Sequence, residues 1–283
     1  MSSGTGYMPV IDAIYEKPGP KAERKIKIAT GLSLIVLAVL IGVIIRQFYV
    51  TGQLSPRYWS FFLRITTWRF LGVGLLGTIE AAAIGGVIAL AAGFILMVFR
   101  ISSIRLLKLL SGLIIEFTRG VPTLLLIYFF FLVVPQFGIK MAALWKIVLP
   151  VAISASGTVA EVFRSGVNAV PKGQREAAIS LGLSERRTFI LVILPQAVKY
   201  VIPALIAELV IVVKDTTFAY VVNFPDLMQN AKVLISNYDA LLSVYLVVAV
   251  IYIIINYLLN RLSMFIAGKM GVKSVNMSEL EEL

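Results

Sequence analysis

The sequence contains no cysteine and no histidine in 283 residues. Without cysteine there is no disulfide and no thiolate chemistry, and without histidine the commonest general base and metal ligand is missing. A zinc centre and a histidine-based triad are excluded, and no metal site is expected. Charge is scarce too: 14% of residues are charged and 59% hydrophobic, at a mean hydropathy of +0.92, against roughly a quarter charged and half apolar in a soluble domain. No glycine loop ending in Gly-Lys-Ser or Gly-Lys-Thr occurs, so the chain has no phosphate cradle with which to hydrolyse ATP. Gly72-Val73-Gly74-Leu75-Leu76-Gly77 spells a dinucleotide fingerprint, yet it follows no strand and opens an apolar run. With Gly85, Gly86 and Gly93 it reads as helix-packing glycine.

What is present is long apolar runs. Windows of about 20 residues, the length of helix that crosses about 30 Å of hydrocarbon, give six spans at 28–47, 72–98, 109–134, 144–168, 200–222 and 240–262. The fold expected is an all-α polytopic transmembrane bundle with cytoplasmic tails at 1–27 and 263–283. The first span follows a basic stretch but has no small-residue cleavage pattern after it, so it reads as an uncleaved anchor. The net charge of +11 does not point to nucleic acid, because the basic residues punctuate the apolar spans instead of striping a soluble domain. If both termini are cytoplasmic, sixteen Lys and Arg fall on that side and seven on the other, which the positive-inside rule favours. Tyr7, Tyr49, Tyr58, Trp59, Trp68 and Trp145 sit near span ends as interfacial anchors.

The connection at 169–199 is polar, basic and patterned. Ala177, Ala178 and Leu181 fall on one helical face, and Arg175, Glu176 and Ser180 off it. Gly182 is placed to end that helix, and Ser184 to cap a second one beginning at Glu185. On residue chemistry this elbow serves equally as a docking element or as an amphipathic helix held against anionic lipid by Lys172, Arg175, Arg186 and Arg187.

Ionisable residues inside spans cost about 2.5–3.5 kcal/mol each at the bilayer centre, so they should face protein or water. Glu116 and Arg119, and Glu161 and Arg164, are each three residues apart and within reach of an ion pair. Glu80, Glu208, Lys214 and Asp215 are the others. A substrate carrying both an ammonium and a carboxylate needs both signs along its path, whereas packing alone needs only neutralised pairs. Gly120-Val121-Pro122 interrupts the third span, where Pro122 cannot donate to residue 118, so a kink or unwound turn is expected. Such a break lines a cavity or serves packing. Lys214-Asp215-Thr216 closes the fifth span at an outer gate or simply ends the helix.

Glu176-Ala177-Ala178, three residues, Gly182, nine residues and Val192-Ile193-Leu194-Pro195 resemble the EAA signature of permeases of ATP-binding-cassette (ABC) importers. Gly77-Thr78, Glu116-Phe117-Thr118-Arg119-Gly120-Val121-Pro122, Ala160-Glu161-Val162-Phe163-Arg164-Ser165-Gly166 and Lys214-Asp215-Thr216-Thr217 are similar to the polar-amino-acid branch of that family. The match covers about residues 72–262. The extra N-terminal span and the Pro18-Gly19-Pro20 tail resemble the larger permease of actinobacterial glutamate uptake systems.

The resemblance implies the type I importer permease fold, five core spans plus one, in a bacterial cytoplasmic membrane. It implies partners: cytoplasmic ABC ATPase subunits, a second permease in a homo- or heterodimer, and an extracytoplasmic amino-acid-binding protein. The chain itself binds no cofactor, ATP and Mg belonging to the ATPase. Gln174, Glu176, Ala177, Ala178, Gly182, Leu194 and Pro195 would couple to that ATPase. Arg119, Gly120, Pro122, Glu161, Arg164, Lys214, Asp215 and Thr216 would line the route of a polar amino acid, with glutamate first. A secondary transporter driven by an ion gradient is the competing reading, and a membrane enzyme a third class, which the missing histidine and cysteine disfavour.

Overall fold

The computed structural model describes residues 19–269; Tyr7, the Lys17-Pro18 stretch and the C-terminal tail beyond 269 lie outside them. By contacts the chain divides into two units, Met1–Pro56 and Arg57–Leu283. Among its described residues the first holds one helix, α1 (Pro20–Val50), of 31 residues, none of them buried. It starts eight residues before the expected span: Gly19 is extended and Pro20 sits in the first turn, where its missing N–H costs nothing. Lys21, Arg24, Lys25 and Lys27 are therefore helical rather than part of a tail.

The second unit is built of helices alone among its described residues. They are α2 (Ile65–Arg100), α3 (Arg105–Gly120), α4 (Thr123–Tyr128), α5 (Ala143–Ala169), α6 (Lys172–Ser180), α7 (Glu185–Thr188), α8 (Leu194–Asp215), α9 (Leu227–Tyr238) and α10 (Leu241–Lys269). Wide π turns follow α4 at Phe129–Val133 and α7 at Phe189–Ile193, and a 3-10 segment, Thr216–Val222, extends α8. Counting α1, five helical runs among the described residues are long and apolar enough to span a bilayer, and six once the broken pair of α3 and Thr123–Phe137 is taken as one.

Small residues decide how the bundle closes. Lipid is as apolar as leucine, so membrane helices associate through close packing, and α2 presents small residues for it. Ala81, Ala82 and Ala89 pack with Ile147, Val148, Val151 and Val212 into a core shared by α2, α5 and α8. A methyl at Gly93 would come within 2.8 Å of the Ser156 carbonyl, and one at Gly86 within 2.7 Å of Leu209 Cδ2. Gly72 faces open space and carries no such contact.

One expectation is sharpened and two need correction. Of the kink or unwound turn expected in the third span, the structure has the unwound turn: α3 and the segment running from Thr123 to Phe137 meet at a break of 97°. Val121 (ψ 125°) and Pro122 (ψ 133°) are extended there, because a proline bars the helical region to its predecessor and offers no N–H. Gly120 remains helical in open space, so proline makes the break. The fifth span does not start at 200. Helix runs unbroken from Glu185 to Val222 over 38 residues, and the second half of the elbow is the foot of that span.

Finally, the loop expected between the fifth and sixth spans holds α9. Asp226 caps it, accepting from the Gln229 N–H at 2.7 Å, and its Leu227, Ala231 and Leu234 are buried against α2 and α10. Thr78 Oγ1 accepts from Leu227 N at 3.1 Å and Asn230 donates to the Phe70 carbonyl at 2.7 Å, so α9 is pinned along α2. Asp226 is fully buried, and burial pushes its carboxyl up to about 7 against the pull of the N–H groups that donate to it.

Candidate functional site

The break at Val121-Pro122 turns the end of α3 and the start of α4 toward α5 and α8. Between them lies a cavity of about 280 Å³ lined by Thr118, Arg119, Thr123, Ser154, Ala155, Thr158, Glu208, Ile211 and Asp215. Thr123, the first residue past the break, donates to Asp215 Oδ2 at 2.9 Å and shares a 2.9 Å hydrogen bond with Ser154. The restarted helix is thereby tied to α5 and to α8 at once. Gly157 sets the closeness of α3 and α5: a methyl there would overlap Thr118 Oγ1 and stand 3.0 Å from Arg119 Cγ and the Ile115 carbonyl.

A second cavity of about 400 Å³ continues along α5, lined by Arg119, Thr158, Glu161, Ser165, Tyr200 and Ala204 among others. Arg119 and Thr158 border both cavities, so one polar track follows the inner faces of α5 and α8. Its charged groups are Arg119, Glu161, Glu208 and Asp215, both signs within a single path. Glu208 is buried, Glu161 and Asp215 are half-buried, and Arg119 is exposed; charge of both signs facing a cavity in a membrane bundle is what a route for polar cargo needs.

Of the residues assigned to that route from sequence, Arg119, Glu161 and Asp215 line it. Arg164 does not; it forks onto Glu161 at 2.6 and 2.9 Å and so holds that carboxylate. Lys214 is exposed and borders neither cavity, one residue of helix turning it about 100° away from Asp215. Thr216 is buried and spends its hydroxyl on the Val213 carbonyl at 2.8 Å. Pro122 makes the break and Gly120 ends α3 in open space; neither lines the track. Glu116 makes no salt bridge with Arg119; the ion pairs among the described residues are Glu161–Arg164 and Arg175–Glu185.

At the other end of the long helix the elbow is locked. Gly182 has φ +81°, its N–H donates to the Ile179 carbonyl, and the Leu183 N–H to the Ala178 carbonyl. This double closure of α6 requires a left-handed residue and so a glycine. Arg175 forks onto Glu185 at 2.8 and 3.2 Å, fastening α6 to α7. The expected apolar face is split: Ala178 is buried against the bundle, whereas Ala177 and Leu181 face outward with Glu176. Ser184 occupies the cap position without a side-chain cap bond. Leu194 and Pro195 belong to α8, above the wide turn, rather than to the exposed elbow surface.

With this geometry in view, comparison with known proteins decides the family. Residues 85–272 match the family described as binding-protein-dependent transport system inner membrane component. The chain belongs to this family. Among relatives, it is 35% identical over 216 residues to the glutamate transport system permease protein GluD of Corynebacterium glutamicum, 75% of this chain and 79% of that protein. It is 31% identical to the probable glutamine ABC transporter permease protein GlnP of Bacillus subtilis, over 68% of this chain and 89% of that one. Among solved structures, an amino acid ABC transporter crystallised with histidines superposes at a TM-score of 0.70 with 30% identity, covering 74% of this chain and 98% of that one. The protein is therefore an ABC amino-acid importer permease of the type I fold. It is a membrane component without an ATPase site, and it works with a separate ATPase and a substrate-binding protein.

The permease also carries track residues that the sequence did not assign to the route: Thr123, Ser154, Thr158, Ser165 and Glu208, the last noted only as a charge inside a span. A signal was there. Ser154, Thr158, Glu161 and Ser165 recur at steps of four, three and four on α5, one polar stripe on an apolar helix, and Glu208 and Asp215 stand seven residues, about two turns, apart on one face of α8.

Proposed function

We propose that this permease carries a polar amino acid, glutamate or a near relative, along the track between α3, α5 and α8. In this reading Arg119 receives the cargo's carboxylate, and Asp215 with Glu208 receives its ammonium. The observation that carries the reading is the 280 Å³ cavity with a guanidinium and two carboxylates on its wall beside a broken helix. These groups fit what every amino acid shares, so side-chain selection rests with the extracytoplasmic binding protein, and the choice of glutamate is supported by the likeness to GluD. Both termini lie in the cytoplasm, which puts the elbow beneath the membrane. There Glu176, Ala177 and Leu181 meet a cleft of the ATPase, while Ala178 and Gly182 hold the elbow in shape and Gln174 faces Gln196 at the foot of α8. The working unit is a pair of permeases, this chain with a second copy or a companion, on two ATPase subunits.

The test is uptake by the reconstituted transporter. Arg119→Ala and Asp215→Asn each remove one charge-assisted contact, worth about 1.5–3 kcal/mol, and so slow uptake roughly 10- to 100-fold, with complex assembly intact by size-exclusion chromatography. Wild-type uptake in both variants contradicts the assignment of the track. A panel of amino acids titrated onto the binding protein decides between glutamate and its relatives.

A further inference from the structure

The elbow and the carboxylates of the track stand on one continuous helical run, Glu185–Val222. That run is α-helical up to Asp215 except for the wide turn at Phe189–Ile193. There the Leu194 N–H donates to the Phe189 carbonyl, five residues back, and Pro195, next in line, has no N–H to give. The turn is short of main-chain bonds, and wide turns of this kind are where helices bend or shift register.

Gln196 straddles it. Its side-chain amide donates to the Val192 carbonyl inside the wide turn at 2.9 Å and to Gln174 Oε1 on α6 at 3.3 Å. One amide thus touches the elbow helix and the wide turn, and its own backbone belongs to α8. The elbow does not need this bond to stay in place, since the Arg175–Glu185 fork and buried Ala178 already fasten it. What the bond adds is a link between the position of α6 and the register of the turn.

We propose that Gln196 is a positioning residue for the coupling step, reading the position of the elbow through Gln174 and setting the register of the wide turn through Val192. When the elbow shifts against the ATPase, the amide's hold on Val192 changes and α8 turns. One residue of register is about 100° of rotation, enough to carry Glu208 and Asp215 from facing the track to facing away, about 18 Å and more above Gln196 at 1.5 Å per residue. The inference rests on the proposed role of the elbow as the ATPase contact.

The experiment uses the complete transporter, with its ATPase and binding protein, in proteoliposomes, and measures amino acid transported per ATP hydrolysed. Gln196→Leu keeps the bulk and loses the amide, and the ratio falls about fivefold, the size of one hydrogen bond. Gln174→Ala, on the exposed face of α6, lowers it by a similar factor. The double variant falls no further than either single, as two ends of one link must behave. An unchanged ratio in Gln196→Leu, or losses that multiply in the double variant, overturns the inference. If Gln196→Leu does not assemble, an unchanged ratio in Gln174→Ala overturns it alone. Gly182→Asp in the same assay separates the two layers. If it uncouples transport while Gln196→Leu does not, only the link through Gln196 falls; if it too leaves the ratio untouched, the elbow is not the coupling element.

Discussion

Thr123 illustrates how much one hydroxyl can be asked to do: it bonds Ser154 on α5 and Asp215 on α8 from the first turn after the break. Removing it by Thr123→Val leaves both partners facing the cavity and lets α4 drift, so uptake should drop several-fold while the complex still assembles, as measured by initial transport rate per purified complex. Asp226 shows burial acting on a single carboxyl. In the unfolded chain it ionises near 3.8, whereas in the fold it stays neutral until about pH 7. Its contribution to stability is therefore full below about pH 4 and is lost as pH rises through 7. Asp226→Asn keeps a good cap and should flatten that fall and stabilise the protein at pH 8, read by thermal unfolding of the purified permease from pH 4 to 8. Asp215 and Arg119 were legible from sequence because charge inside a span is rare. Ser154 and Thr158 were not, since a hydroxyl costs little in a helix and stands out only by its spacing.

Among the elements, the broken pair α3 and α4 follows most directly from chain chemistry. A proline in a span forces its predecessor out of the helical region, and the resulting turn of 97° sets Thr118, Arg119 and Thr123 on the wall of a partly open cavity beside α5 and α8. Sequence placed the break and not its angle, because the angle is set by what α4 finds to bond, namely Ser154 and Asp215. The contact at Gly157 fixes the other wall: Gly157→Ala should push α3 off α5 and displace Arg119, lowering uptake about tenfold with the ATPase still bound, which co-purification and uptake on the same preparation would show. α9 was invisible to a search for long apolar runs, being 12 residues long. Its local grammar was nonetheless present in the Asp226 cap, Gln229 three residues on, and Leu227, Ala231 and Leu234 at helical spacing. The foot of the fifth span was misjudged for a related reason. Arg186 and Arg187 lower the hydropathy of a window without ending a helix, and Pro195 is tolerated because the wide turn before it asks for no N–H there.

At the scale of the whole molecule, two of the places where charge gathers, the track and the elbow, stand on the single run Glu185–Val222. Composition alone announced the bilayer as solvent, the missing phosphate loop excluded ATP hydrolysis by this chain, and the resemblance of Glu176–Pro195 to the EAA signature implied the partner ATPase. The division of labour between a conduit and a separate ATPase was thus readable before any coordinate, while the physical link between them was not, because it depends on a helix continuing where hydropathy falters. The central claim is that amino-acid movement through this permease is driven by ATP hydrolysis on its partner, and uptake of labelled amino acid into proteoliposomes holding the full complex tests it most directly. With ATP and Mg inside and the binding protein outside, uptake should proceed, persist when ion gradients are dissipated, and stop when hydrolysis is blocked by vanadate or by a non-hydrolysable analogue. Uptake that continues without hydrolysis and collapses with the ion gradient would contradict it.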